Sequence, residues 1–186
     1  LLQAQSSKAQ IIGLANAGGD TINSIKQASE FGITKGGQKL AGLLVFISDI
    51  HSLGLERAQG LNLTEAFYWD LNDRTRAFSK KFAARFNGKM PTSVQAGFYS
   101  ATLAYLNAVK STGTDNAEKV MAAMKAAKGD DPIFGPSYVR EDGRKMHDMY
   151  LFEVKKPSES KGPWDYYKLL SKISGEEAFR PLANSE

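Results

Sequence analysis

QIIGLANAGGDTINSIKQASEFGI (residues 10–33) reads as a buried strand, a turn of small residues and an amphipathic helix. Ile11, Ile12 and Leu14 form a short apolar run with two β-branched residues, which suits a parallel strand covered on both faces. Ala15, Asn16, Ala17, Gly18 and Gly19 follow, none of them bulky. Asp20 stands where an N-cap belongs, ahead of Ile22, Ile25, Ala28 and Ser29 at helical spacing. Phe31-Gly32 ends the helix, with glycine at the C′ position. A strand feeding a helix through a glycine turn leaves backbone N–H groups facing a cleft. In open α/β sheets the carboxyl end of such a strand is where ligands bind.

Working outward, residues 2–7 read as the end of a helix, and LLQAQSSKAQ without a start methionine predicts a chain that begins inside a longer protein. After the glycine loop TKGGQK (34–39), the apolar run AGLLVFI (41–47) predicts a second buried strand. It stops at the polar cluster Ser48-Asp49-Ile50-His51. HSLGLERAQG (51–60) reads as a short helix and LNLTEAFYW (61–69) as a strand rich in aromatic and β-branched residues. The first seventy residues are therefore βαβαβ.

At Asp70–Asp73 the pattern changes. Asn72 or Asp73 caps a helix with Phe78, Phe82 and Phe86 on one face as core residues. Pro91 precedes a long helix with the apolar stripe Val94, Phe98, Ala101, Tyr105 and Ala108 or Val109; Phe98, Tyr99 and Tyr105 read mainly as core, with Tyr99 able to reach a cleft. A third helix, capped by Asp115 or Asn116, carries Val120, Met121 and Met124. From Asp131 strand signals return: two strands around a turn at Glu141-Asp142-Gly143, the second being Met149 to Val154, and then DYYKLLSKIS (165–174), read as a strand. The chain divides into 1–69, a helical block 70–131, and a return segment 132–186.

Composition narrows the function. Of 186 residues, 42% are hydrophobic, enough for a packed core. No apolar run reaches the ~18 residues needed to span a membrane. Cysteine is absent, which excludes disulfides, thiolate metal sites and a cysteine nucleophile. The net charge of +4 comes from scattered residues, which argues against a nucleic-acid-binding surface. His51 and His147, the two histidines, have no helical i, i+4 partner, so a zinc-protease pattern is lacking. There is no G-x-S-x-G elbow, no P-loop and no G-x-G-x-x-G, and no cofactor is expected.

Two clusters admit two readings each. Ser48, Asp49 and His51 are either an Asp or Ser helix cap with a surface histidine or a polar ligand clamp at a strand end. Phe67-Tyr68-Trp69 is either an ordinary sheet strand or the aromatic lining of a cleft.

Three motifs in order resemble one family. IIGLANAGGDTINSIKQASEFGI, with Gln27, Ala28 and Gly32, is similar to a strand–helix segment of the periplasmic branched-chain amino-acid binding proteins. PTSVQAGFYSATLAYLNAVKSTGT, with Pro91, Ala96, Tyr99, Ala108 and Gly113, resembles that family's long helix. Phe134-Gly135, Glu141-Asp142-Gly143-Arg144 and MYLFEVKK resemble its closing block. SDIHSLGLERAQGLNLTEAFYWDLND and GPWDYYKLL look most like the branch that takes aromatic acids.

The resemblance implies a type I periplasmic-binding-protein fold of two α/β lobes with parallel sheets, of which this chain is roughly the C-terminal half. It implies a periplasmic solute-binding component of an ABC importer, with a permease and the missing N-terminal half as partners. Its ligand would be a small organic acid held in an interlobe cleft, an aromatic acid first and a branched-chain amino acid next. The site residues would be Asn16, Ala17, Gly18, Gly19 and Asp20 at the helix start, Asp49 and His51 as polar contacts, and Phe67 and Trp69 as stacking surfaces. The helical block would leave apolar faces uncovered unless the missing half or a homo-oligomer buries them. A ligand-sensing receptor domain, or less favourably an enzyme, is the alternative on the same architecture.

Overall fold

In the computed structural model, which describes residues 1–184, the chain divides into two units. The first comprises Leu1–Glu65 and Tyr150–Ser171. The second comprises Ala66–Met149 and the chain from Lys172 onward.

The first unit follows the expected order. Helix α1 (Leu2–Ser6) leads to β1 (Ile11–Leu14), α2 (Gly18–Glu30), β2 (Lys39–Gly42), two short helices α3 (Ile47–Leu53) and α4 (Leu55–Ala58), and β3 (Asn62–Glu65). β1 pairs in parallel with β2, Ile12 opposite Leu40, and β2 in parallel with β3, Ala41 opposite Asn62. The later strands β7 (Met149–Val154) and β8 (Tyr167–Ile173) complete a five-stranded sheet ordered β1-β2-β3-β7-β8. β7 runs antiparallel to β3, with Leu63 opposite Phe152. The side chains of alternating strand positions, Ile12, Leu14, Leu40, Leu63, Phe152 and Val154, are buried, as are Ile25 and Ala28 of α2.

Two sequence-based expectations shift here. Helix α2 begins at Gly18, with Ala17 as its N-cap in extended conformation, so Asp20 lies in the first turn rather than at the cap. Its C-terminal end is as expected: Gly32, at φ +67°, follows Phe31. The expected strand over 41–47 is instead the last half of β2, a bend and the start of α3. Leu43 is 64% exposed, whereas Ile47, Ile50 and Leu53 are buried at helical spacing. A run of seven apolar residues has no period of its own, and the sharp turn decides its structure. A Cβ at Gly42 would run into the Val45 side chain, so only glycine lets the chain turn there.

The second unit holds α5 (Asp73–Ala83), α6 (Ser93–Thr112) and α7 (Ala117–Ala126). Asn72 caps α5 by accepting the Thr75 N–H at 3.1 Å, and Asn116 caps α7 by accepting that of Lys119 at 3.2 Å. A small antiparallel sheet follows: β4 (Lys128–Asp131), β5 (Gly135–Val139) and β6 (Lys145–Met146). The turn at 141–143 is as expected, but its second strand is β6. Met149–Val154 instead joins the large sheet. A short helix α8 (Gly175–Ala178) lies near the end of the described chain.

The long helix α6 also departs from expectation. Its buried positions are the small residues Ala96, Ser100 and Ala108, spaced along one face. The large apolar side chains point outward: Phe98 is 76% exposed, and Val94, Tyr99, Tyr105 and Leu106 are also exposed. Phe98, Tyr99 and Tyr105 are therefore not core residues. Phe86, past the end of α5, is exposed too, though it stacks on Phe82 at 4.4 Å. The uncovered apolar faces anticipated from the sequence are present on this unit.

Candidate functional site

The carboxyl ends of the parallel strands β1, β2 and β3 are Leu14, Gly42 and Glu65. The segment after β1 is tied to the helix that follows by a chain of side-chain hydrogen bonds. The Thr21 hydroxyl, fully buried, donates to Asn16 Oδ1 at 2.9 Å. Asn16 Nδ2 donates to Ser24 Oγ at 3.0 Å, and the Ser24 hydroxyl donates to the Asp20 carbonyl at 2.8 Å. Asn16, rather than Asp20, thus ties the turn to the helix, through the side chains of Thr21 and Ser24 and without capping it.

No side chain caps α2. The first N–H groups of a helix have no partner within it, so those at the start of α2 remain available to a ligand. Ala17, Gly18 and Gly19 are exposed, and beyond the chain neighbours and the helix's own backbone no heavy atom lies within 4 Å of where a Cβ would stand on Gly18 or Gly19. Gly18 has φ +56°, a conformation that favours glycine. Open space, free donors and the positive end of a 13-residue helix together suit an anionic group. Asp20, exposed in the first turn, also complements that helix end.

Ser48, Asp49 and His51 all sit on α3. Asp49 Oδ2 accepts the Phe46 N–H at 2.9 Å, which caps the start of α3. His51 is exposed and stacks on Trp164, with ring centroids 4.0 Å apart and planes 7° from parallel. Its Nδ1 lies 2.7 Å from the Tyr166 hydroxyl. Trp164 is buried and holds φ +70°, an uncommon backbone conformation for a non-glycine residue, costing about 1 kcal/mol. The structure therefore gathers His51, Trp164 and Tyr166 into one aromatic group. The sequence offered GPWDYY as a motif but no link to a histidine more than a hundred residues away.

Glu65 was also overlooked. It is a carboxylate residue only 5% exposed, ending a parallel strand. Its place could have been found from the strand reading of 61–69, had the acidic residue at its end been weighed.

Phe67 and Trp69 belong to the second unit. Phe67 is 2% exposed and forms a core cluster with Ala96 and Ile133, meeting Phe78 edge-on at 5.9 Å. Its ring is packed within its own unit rather than presented as a surface. Trp69 is half-buried, packed against that cluster and edge-on to Tyr68.

The same unit contains a buried polar network. Asp131 Oδ1 accepts the N–H groups of Ile133 and Phe134 at 2.8 and 2.9 Å. Its Oδ2 accepts the Ser100 hydroxyl at 2.6 Å and pairs with Lys145 Nζ at 2.5 Å, and Lys145 also reaches Ser100. Burial raises the Asp131 carboxyl, but the hydrogen bonds from Lys145, Ser100 and the two N–H groups outweigh it and hold the group below the usual 3.8. Lys145, Ser100 and Asp131 Oδ2 are all engaged with one another, so the network ties α6, β4 and β6 together.

An α/β unit with a free helix start at the carboxyl end of a parallel strand is the arrangement expected of one lobe of a type I periplasmic binding protein. The chain belongs to the periplasmic binding protein family, whose pattern matches residues 1–163. The protein is accordingly a periplasmic one. It is similar to a periplasmic binding protein from Burkholderia mallei, at 55% identity and a TM-score of 0.90 over 99% of this chain and 48% of that one. It is also similar to a branched-chain amino-acid ABC-transporter periplasmic ligand-binding protein from Burkholderia xenovorans, at 46% identity and a TM-score of 0.89 over 99% of this chain and 49% of that one. A solute-binding protein of an ABC transporter from Rhodopseudomonas palustris, in complex with 3,4-dihydroxybenzoic acid, shares the fold. Its identity is 22% and its TM-score 0.75, over 94% of this chain and 47% of that one. The chain thus spans about half the length of the solved structures it matches. No curated protein matches it.

Proposed function

We propose that the chain supplies part of the solute-binding component of an ABC importer, and that the start of α2 takes the carboxylate of a small organic acid. The carrying observation is the uncapped, exposed Ala17-Gly18-Gly19 turn held in place by Asn16, Thr21 and Ser24. Small residues admit a ligand close to the backbone, and the helix start favours negative charge by roughly 0.3–1 kcal/mol, up to about 2 when shielded from water. The role is binding without chemistry: recognition of the loaded protein by a permease follows occupancy.

An aromatic acid is the favoured ligand and a branched-chain amino acid the next. The Burkholderia xenovorans relative is described as a branched-chain amino-acid protein, and the Rhodopseudomonas palustris protein of the same fold holds an aromatic acid. Asp49 and His51 act here through the stability of α3 and of the Trp164 group, and the contact residues are Asn16 to Asp20.

A thermal-shift screen tests the reading. The chain would be produced together with the remainder of the Burkholderia mallei relative, and challenged with benzoate, 3,4-dihydroxybenzoate, leucine and valine. Stabilisation that grows with the concentration of a carboxylate ligand is expected, about 2.7 kcal/mol at a hundredfold excess over Kd. An unchanged melting temperature with all four would overturn it.

A further inference from the structure

The β5–β6 hairpin and the chain around the end of α8 line an open cavity of about 640 Å³ in the second unit. Its lining carries four Lys or Arg side chains, Arg140, Arg144, Lys145 and Arg180, against the single carboxylate of Asp142. Two of the four are committed. Arg140 grips Asp142 through Nη2 at 2.6 Å and Nε at 3.0 Å, and its Nη1 donates to the Arg180 carbonyl at 2.9 Å. Lys145 belongs to the Asp131 network.

Arg144 and Arg180 remain, both exposed and neither with an acidic partner among the described residues. They are nonetheless held. The Arg144 backbone is fixed by the turn, its carbonyl accepting the Arg140 N–H at 2.8 Å and its N–H donating to Asp142 Oδ1 at 3.1 Å. Its guanidinium lies 5.1 Å from the centre of the Phe179 ring, and that ring meets His147 edge-on at 5.3 Å. Arg180 is anchored through its carbonyl by Arg140. Like charges gathered in a concavity raise the local potential, and guanidinium forks match phosphate and carboxylate oxygens.

We propose that this cavity is a second binding site, for a small polyanion: a compact group with two or more negative charges, held by Arg144 and Arg180 and flanked by Phe179. The volume falls in the range of small-molecule sites. The site is separate from the α2 start and takes a different charge class, so either can fail without the other.

Calorimetric titration of the 186-residue chain with inorganic phosphate and with citrate is the test. Saturable binding of at least one is expected, weakened by added salt. Phosphate alone would point to phosphate esters, and citrate alone to multi-carboxylates. Arg144→Ala and Arg180→Ala should each weaken binding about tenfold, the loss expected for one charge-assisted hydrogen bond, while Arg85→Ala leaves it unchanged. Should Arg144→Ala lower the urea midpoint, Arg144→Gln keeps the stem over Phe179 and removes only the charge. No saturable heat with either anion, or binding that survives both substitutions or is lost equally in Arg85→Ala, would overturn the proposal.

Discussion

Replacing Thr21 by valine removes one hydroxyl and changes little else, which makes it a clean probe of the α2 turn. The Thr21 side chain is fully buried, and its hydroxyl is the donor that fixes Asn16 Oδ1 at 2.9 Å. Valine fills the same volume without that donor, so no cavity forms. The lost hydrogen bond amounts to about 1 kcal/mol net, with a ceiling near 2 if Asn16 Oδ1 finds no water in its half-buried place. With a urea m-value of about 2 kcal/mol/M, the midpoint falls by about 0.5 M. Thr21→Ala removes a methyl group as well and should lose roughly a further 1 kcal/mol. The difference between the two variants separates packing from hydrogen bonding. Urea unfolding followed by far-UV circular dichroism reads both. A valine variant within about 0.3 kcal/mol of the parent, below the usual additivity error, would show that Asn16 is not held by Thr21 and would undo the account of the turn.

Three further outcomes follow from the second unit. Lys145→Met leaves Asp131 with its three other donors. The loss should therefore be about 2 kcal/mol, short of the 3–5 of an abandoned buried charge, and a denaturation midpoint equal to the parent's would count against the network. Gly175→Ala places a Cβ 2.8 Å from the His147 carbonyl oxygen and 3.1 Å from its nitrogen. Backbone must move, and destabilisation of about 1–3 kcal/mol is expected by the same assay. His147 is held below the usual 6.5, first by burial and also by Lys145 nearby. The unfolded chain thus binds the proton more readily, and His147's contribution is complete above pH 6.5 and declines as pH falls below it. His147→Gln should flatten the stability profile as pH falls below 6.5, above the Asp131 window that opens only below 3.8. An unchanged slope would contradict this.

The parts of the fold that were legible in the sequence are those with a local cause. β1 and α2 announced themselves by periodicity and by Gly32, and the caps of α5 and α7 were narrowed to two neighbours each, of which Asn72 and Asn116 do the capping. The 41–47 run misled because its turn depends on how closely Val45 approaches Gly42, a contact that composition does not encode. On α6 the rule that large apolar residues face inward fails because the buried face is built of Ala96, Ser100 and Ala108. The site was half legible. The small-residue turn was visible, but its organiser is Asn16 through Thr21 and not Asp20, since the helix starts at Gly18. His51 with Trp164, and Asp131 with Ser100 and Lys145, join residues far apart in the chain, and only the fold brings them together.

The central claim is that the start of α2 receives a ligand carboxylate, and amide chemical shifts test it most directly. In a ¹H–¹⁵N titration with benzoate of the chain assembled with the remainder of the Burkholderia mallei relative, the Ala17, Gly18 and Gly19 amides should shift most and saturate together. Saturable binding that leaves those three amides unmoved would contradict the account.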